Sequence, residues 1–391
     1  MLPAANDDLL WQLTKLQVEK PITINADLIA AYQAASSPHS IRALKSDLEA
    51  FDLWCRRSRY QSLPATPEMV ASYLDARAGQ GAKPASLGRY KASIAKIHQL
   101  LDLKDPTQAE LVKLRLRTIR REKGTAQAQA RPLRFKGPVK DVERDKPRGI
   151  NVRALLEACA DDLPGLRDRA LLSVAYDTGL RASELVAIEV EHILEALDPE
   201  ARLLAIPRSK SDQEGEGATA FLGPRSVRAI TAWTEEAGIR HGPLFRRVQV
   251  RRYKARPAVK GRSIDSITGR ETWDLRKTLS RPAVPPRTEY DIGSVALHPA
   301  SVGPIYRAMI RRAFDNGALS DLTADDIVRL LKGVSAHSTR VGLNQDLFAS
   351  GEDLAGIMDA LRWKSPRMPL AYNRNLAAEA GAVGRLLERL K

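Results

Sequence analysis

Apolar positions recur at spacings of three and four along most of this chain, which therefore reads mainly as helix. Ile41, Leu44, Leu48, Phe51 and Trp54/Cys55 make one apolar stripe over four turns. Thr66-Pro67 supplies an N-cap and a first-turn proline, and the helix it opens turns Met69, Val70, Tyr73 and Leu74 inward. Pro84 opens another, with Leu87, Tyr90, Ile94, Ile97 and Leu101 on one side and Lys83, Ser86, Arg89 and Lys91 on the other. Asp105-Pro106 is expected to cap a fourth helix, running into Lys113, Arg115, Arg117, Arg120, Arg121 and Lys123. Residues 1–35 are weakly patterned. The first 123 residues thus predict a helical bundle with a basic last helix.

Periodicity disappears over 124–149, where Ala, Gln, Pro, Lys and Arg dominate; the reading is an extended basic linker. A second domain, 150–391, follows. Helices are expected over 152–159, 166–176 and 182–192. Residues 202–206 and 218–222 read as paired strands across a polar turn containing Ser209-Lys210-Ser211. Helix returns over 224–233. Residues 246–296 are basic, carry several prolines and show little pattern. Helices resume around 304–316, 323–332, 336–349 and 353–361, near Tyr372, and over 377–390. The last places Val383, Leu386, Leu387 and Leu390 on one face, which either packs on its own domain or docks elsewhere. The fold class is mainly α with a small β-hairpin or sheet in the second domain.

Composition narrows the function. No stretch of the 391 residues approaches the roughly 18–20 apolar residues a spanning helix needs, so a transmembrane protein is not expected, and no segment joins basic charge to a clean apolar helical face, so no membrane partner is expected. Asp7 and Asp8 precede any apolar run, so a secretory signal is not expected. Cys55 and Cys159, each in an apolar helical pattern, read as buried structural thiols. The net charge of +15 is concentrated. Residues 113–148 hold 13 Lys/Arg against 4 Asp/Glu, and residues 246–287 hold 13 against 3, so the rest of the chain is slightly acidic. Two basic segments on a near-neutral body are either solvated linkers or the footprint of a polyanion.

Several chemistries are unsupported. There is no GxxxxGK[ST] phosphate loop, no CxxC and no HExxH, so neither ATP nor a metal cofactor is expected. What remains is a set in the second domain. Arg181 stands at a helix start with Glu184 three residues on. His337 and Arg340 share a helical face at i and i+3. Trp363 follows Arg340 by 23 residues, and Tyr372 follows Trp363 by 9. Singly, each has an ordinary explanation: a surface ion pair, a chance HxxR, a core tryptophan, a packed tyrosine.

In this order and spacing they resemble the tyrosine recombinase (phage integrase) family. The resemblance also rests on Thr118-Ile119-Arg120-Arg121-Glu122-Lys123, Ala175-Tyr176-Asp177-Thr178, His337-Ser338-Thr339-Arg340-Val341-Gly342 and Tyr372-Asn373-Arg374-Asn375-Leu376, and it spans nearly the whole chain. It implies a SAM-like helical core-binding domain and a catalytic domain of the tyrosine recombinase fold. It implies that Arg181 and Arg340 hold the scissile phosphate of duplex DNA, a role bidentate guanidinium groups suit. Tyr372 is then the nucleophile of a 3′-phosphotyrosine intermediate, which conserves the bond and needs no ATP. His337 assists proton transfer, Trp363 donates its indole N–H, Glu184 orients Arg181, and Lys210 protonates the leaving oxygen unless it is only an exposed turn lysine. Lys83, Ser86, Arg89, Lys91, Arg120, Arg121 and Lys123 would contact DNA in the first domain, and His298 and Ser301 in the second.

The resemblance further implies site-specific recombination at inverted-repeat sites, through a Holliday junction, by a homotetramer joined by the 377–390 helix. The main departure is length, since 246–296 holds an insertion of some 30–40 residues, expected to touch DNA phosphate. Two other functions stay open: a type IB topoisomerase or telomere resolvase with the same side chains, and a catalytically silent architectural DNA-binding protein.

Overall fold

The computed structural model describes residues 9–14, 24–125, 129–135, 149–207, 217–259 and 281–373, with 387 and 390. The chain divides into two compact units, Met1–Ala128 and Gln129–Lys391.

The first unit is helical: α1 (Leu9–Thr14), α2 (Ala26–Ala35), α3 (Pro38–Arg57), α4 (Pro67–Gly79), α5 (Pro84–Leu100) and α6 (Glu110–Lys123). Local chemistry sets the boundaries. Asn25, Ser37 and Thr66 cap α2, α3 and α4 with their side chains, and prolines stand at the first turn of α3, α4 and α5. The α3 stripe is buried as its period requires, at Ile41, Leu44, Leu48, Phe51 and Cys55. Phe51, Trp54 and Tyr73 form the aromatic centre. Two readings are corrected. The weakly patterned residues 1–35 contain α1 and α2. Asp105-Pro106 opens only a 3-10 turn, Pro106–Gln108, because the Asp105 carboxylate accepts from Thr107 N at 2.8 Å while Ala109 stays extended; α6 starts afresh at Glu110.

The second unit holds α7 (Val152–Glu157), α8 (Leu163–Thr178), α9 (Ala182–Val186), β1 (Ile193–Glu195), β2 (Arg202–Ile206), β3 (Ala218–Leu222) and α10 (Pro224–Glu236). Then come β4 (Arg246–Tyr253), β5 (Arg287–Ala296), α11 (Val302–Asp315), α12 (Ala324–Leu331), α13 (Ser338–Ala349), α14 (Leu354–Ala360) and α15 (Arg367–Tyr372). The core gathers on α8, which is buried nearly all round, and takes in Trp233, Phe245 and Tyr306. The expected pair β2–β3 is antiparallel with Leu204 opposite Ala220, and β1 adds a third strand in the order β1-β2-β3.

Three expectations change here. The helix read over 182–192 stops at Val186, because Ile188 O and Val190 N bond instead to Leu244 N and Gly242 O. The segment 246–296, read as patternless, is an antiparallel ribbon of β4 and β5. Burial alternates only over residues 246–250 and most of the rest of both strands is exposed, so the alternation is too short to mark a ribbon. Residues 129–135, placed within the linker, pack into the second unit. Arg131 N and Leu133 N donate to Gly333 O and Ser338 O, and Val152 N donates to Arg134 O. Gly342 makes this possible, since a Cβ there would lie 1.9 Å from Leu133 O. Asp346 on α13 closes the arrangement. It accepts from Arg134 Nε at 2.5 Å, from Phe135 N at 2.9 Å and from the Tyr176 hydroxyl of α8.

Candidate active site

The site is assembled where α8 ends and α13 begins. Gly179 terminates α8 in the left-handed region (φ 57°), and a Cβ there would meet Leu361 at 2.3 Å. The turn hands the chain to Arg181, the N-cap of α9. Glu184 accepts from Arg181 N at 2.9 Å and from Arg181 Nη1 at 2.7 Å, so one carboxylate fixes both backbone and guanidinium. Burial raises the Glu184 pKa, but these bonds and the Arg181 charge outweigh it and hold the group below its usual value.

Arg340 lies in the first turn of α13 and is 1% exposed. Its Nη1 donates to Gly179 O and its Nη2 to Leu361 O, both at 2.5 Å, and its guanidinium sits 4.8 Å from the centre of the Trp363 ring. Burial, then the neighbouring charges of Arg181 and Arg362, press its pKa down to about 9, so it stays charged at neutral pH. His337 is the N-cap of α13. Its Nε2 lies 2.5 Å from Tyr372 Oη, and the two rings meet edge to face. Burial, with the Arg340 and Arg181 charges behind it, lowers the His337 pKa to about 4. The imidazole is therefore neutral near pH 7 and meets the phenol as a hydrogen-bond partner.

Tyr372 ends α15 and is buried. Burial raises its pKa, against the opposing pull of Arg340 and Arg181. Its ring packs against Trp363 with centroids 5.6 Å apart. Two side chains of α13 hold this short helix. Gln345 Nε2 donates to Tyr372 O at 3.1 Å, and Asn344 Nδ2 donates to Asn373 Oδ1 at 2.8 Å. Neither was singled out in the sequence, because amide residues in a helix carry no signal of their own.

Arg362 was also overlooked. It closes α14 at φ 53°, a conformation that costs a non-glycine residue about 1–2 kcal/mol. Its Nη2 donates to Thr178 O at 2.9 Å, and burial lowers its pKa. Its positive φ, the one signal that could have found it, is invisible in a sequence. The structure thus brings Arg181, Glu184, His337, Arg340, Trp363 and Tyr372 together in one subunit, with Arg362 beside them. Lys210 lies outside the described residues, as does most of the 377–390 helix.

Of the expected DNA-contacting residues, Lys83, Ser86, Arg89 and Lys91 stand at or on α5, and Arg120, Arg121 and Lys123 on α6. Lys91 and Arg120 line a groove of about 950 Å³ between these helices, with Lys96, Lys113 and Arg117. Arg89 does not stand free for a ligand. It pairs with the buried Asp47 at 2.8 Å and stacks on Tyr90. Lys123 Nζ is likewise taken up by Ala78 O. In the second unit, exposed His298 caps a short turn by accepting from Ala300 N at 3.2 Å, and half-buried Ser301 follows it.

A buried arginine, a half-buried one that a carboxylate orients, and a tyrosine hydroxyl on a neutral histidine thus stand together, an arrangement suited to nucleophilic attack on a phosphodiester. Comparison with known proteins agrees. The Phage integrase family matches residues 148–272, and the phage integrase N-terminal SAM-like domain matches residues 30–104. Recombinase cre of Escherichia phage P1 is 26% identical over 357 residues, covering 90% of this chain and 89% of that protein. An integrase/recombinase xerD homolog of Selenomonas ruminantium is 29% identical, covering 55% of this chain and 61% of its own. The fold is shared with the site-specific recombinase XerH, solved bound to palindromic difH substrate, at a TM-score of 0.51 and 13% identity over 90% of this chain and 83% of that one. The chain belongs to the tyrosine recombinase (phage integrase) family, enzymes that cleave and rejoin DNA. These similarities favour neither a topoisomerase or resolvase nor a silent architectural protein.

Proposed function

We propose that Tyr372 Oη attacks the phosphorus of a scissile phosphodiester in duplex DNA. The P–O5′ bond breaks, the phosphate stays on the 3′ side as a phosphotyrosine ester, and a 5′-hydroxyl leaves. The phenol proton passes to His337 Nε2, and Lys210 Nζ supplies the proton to the leaving oxygen. Arg181 and Arg340 hold the non-bridging oxygens, where charge gathers in the transition state, and Trp363 donates its indole N–H to the same phosphate. Glu184 positions Arg181. Attack by the 5′-hydroxyl of another strand restores the diester, and two rounds of exchange pass through a Holliday junction. The recombination site is an inverted repeat bound by four copies of the chain in the cytoplasm, each docking its 377–390 helix on a neighbour. The α5–α6 groove, with Lys83, Ser86, Arg121, His298 and Ser301, contacts the duplex, mostly at phosphate.

One observation carries this reading: the Tyr372 hydroxyl is 2.5 Å from a histidine kept neutral by its burial and by the Arg340 and Arg181 charges. The test is a nicked suicide duplex bearing the inverted repeat next to the gene. The wild type forms a covalent adduct, and Tyr372→Phe binds without forming one. An adduct with the Phe variant would move the nucleophile elsewhere. A 5′-bridging phosphorothioate, with its good leaving group, should rescue Lys210→Ala; without rescue, Lys210 is not the acid.

A further inference from the structure

The β4–β5 ribbon is larger than its two strands. Its pairing runs from Val248 opposite Ile292 to Tyr253 opposite Arg287, and bridges at Arg256–Val284 and Val259–Arg281 carry it outward. At about 3.3 Å per residue that is roughly 35 Å of paired chain. Only the root packs against the core, through Val248 and Ile292. Residues 251–259 and 281–291 are exposed throughout. A two-stranded ribbon with both faces in water is marginal alone, so this one is built to meet a partner.

Its charge says which. From Arg251 to Val259 and from Arg281 to Arg287 the chain carries Arg251, Arg252, Lys254, Arg256, Arg281 and Arg287 and no acidic residue. Glu289 and Asp291 stand nearer the root, opposite Arg251 and Gln249. Pro257, Pro282, Pro285 and Pro286 interrupt the strand edges, and a proline has no N–H to offer a third strand. Strand addition by a second protein is thereby discouraged, whereas a polyanion needs no edge. The major groove of B-DNA, about 12 Å wide, admits a two-stranded ribbon. The root also continues into the catalytic region: Leu297 N bonds to Phe245 O, and one short turn later Gly303 of α11 packs against Ala336, the neighbour of His337.

We propose that this ribbon is a DNA-binding arm that lies along duplex DNA and neutralises phosphates beyond those held at the active site. The contact is electrostatic and carries little sequence information.

The test uses the full-length protein, a random-sequence duplex of about 40 base pairs as probe and a salt series. Replacing Arg252, Lys254, Arg256 and Arg281 by Ser should reduce the slope of log Kd against log salt by up to about 3.6, near 0.9 per lost phosphate contact. Removing four exposed charges elsewhere, at Arg57, Lys104, Arg240 and Lys332, should change it by less than about 1. A second variant that closes the ribbon by a short turn between 250 and 290 should lose the same slope. Equal slopes for the ribbon and control variants overturn the proposal. So does a ribbon variant that binds DNA as the wild type does but changes oligomeric state. Covalent trapping through Tyr372, read in parallel, reports the active site separately.

Discussion

Positive charge serves two opposite physical designs in this chain. Around Tyr372, guanidinium groups are few, buried or half-buried, and bonded to named carbonyls and a carboxylate. On the ribbon and in the α5–α6 groove, the charges are exposed, many and borne on long flexible side chains. The buried group is fixed before any ligand arrives and is little screened by salt. The exposed group gains by releasing counterions and weakens steeply as salt rises. Geometry for chemistry and affinity for a polymer are thus supplied separately. A substitution in one should leave the other's observable nearly untouched.

That separation can be broken in a graded way. Arg340→Lys should lower the rate of adduct formation by about 10³-fold, because an ammonium cannot keep the Gly179 and Leu361 carbonyls and still present a fork to phosphate. The salt slope of binding should not move; a large drop in that slope would merge the two designs. Gly342→Ala should destabilise the second unit by about 3 kcal/mol or more, since the new methyl collides with Leu133 O, and thermal unfolding measures it. Arg362→Gly should lower trapping about tenfold if the third guanidinium acts on the phosphate, with stability changed by no more than about 1 kcal/mol because the strained φ is relieved as the Thr178 bond is lost. Unaltered trapping would make Arg362 a purely structural turn residue.

In the first unit, Lys113, Arg117 and Arg120→Ser should reduce the salt slope by about 2–3 and leave the single-turnover rate of bound complex unchanged. The smallest effect is on pH. His337 has a folded-state pKa near 4, below its ordinary 6.5, so the unfolded chain binds more protons between those values. The stability it contributes is therefore present above pH 6.5 and lost as pH falls from 6.5 towards 4. Histidine resonances of the DNA-free protein should show one imidazole titrating near 4; a midpoint near 6.5 would mean that burial and the Arg340 and Arg181 charges do not act on His337 as described.

What could be read from the residues follows the same division. The α3 stripe and the Thr66-Pro67 start were legible because burial on one face imposes a period and a cap imposes a residue type. His337 and Arg340 could be placed together because a helix fixes the i, i+3 relation. Their approach to Tyr372 depends on tertiary packing, and its pattern became readable through the family resemblance. The ribbon escaped because only its root, at Val248 and Ile292, packs on the core, and the docking of 129–135 because it runs through backbone bonds to which side-chain patterns are blind. Arg362 escaped because its function follows from a left-handed turn at the end of α14.

The last turn of α8 has a consequence for how substrate enters. The carbonyls of Thr178 and Gly179 accept from Arg362 and Arg340, so the negative pole of a helix quiets these two cations alongside the Glu184 carboxylate, which is itself bonded to Arg181. Arg340 is held by backbone carbonyls rather than by a carboxylate, so an arriving phosphodiester meets a guanidinium already oriented and has no acidic partner to displace from it.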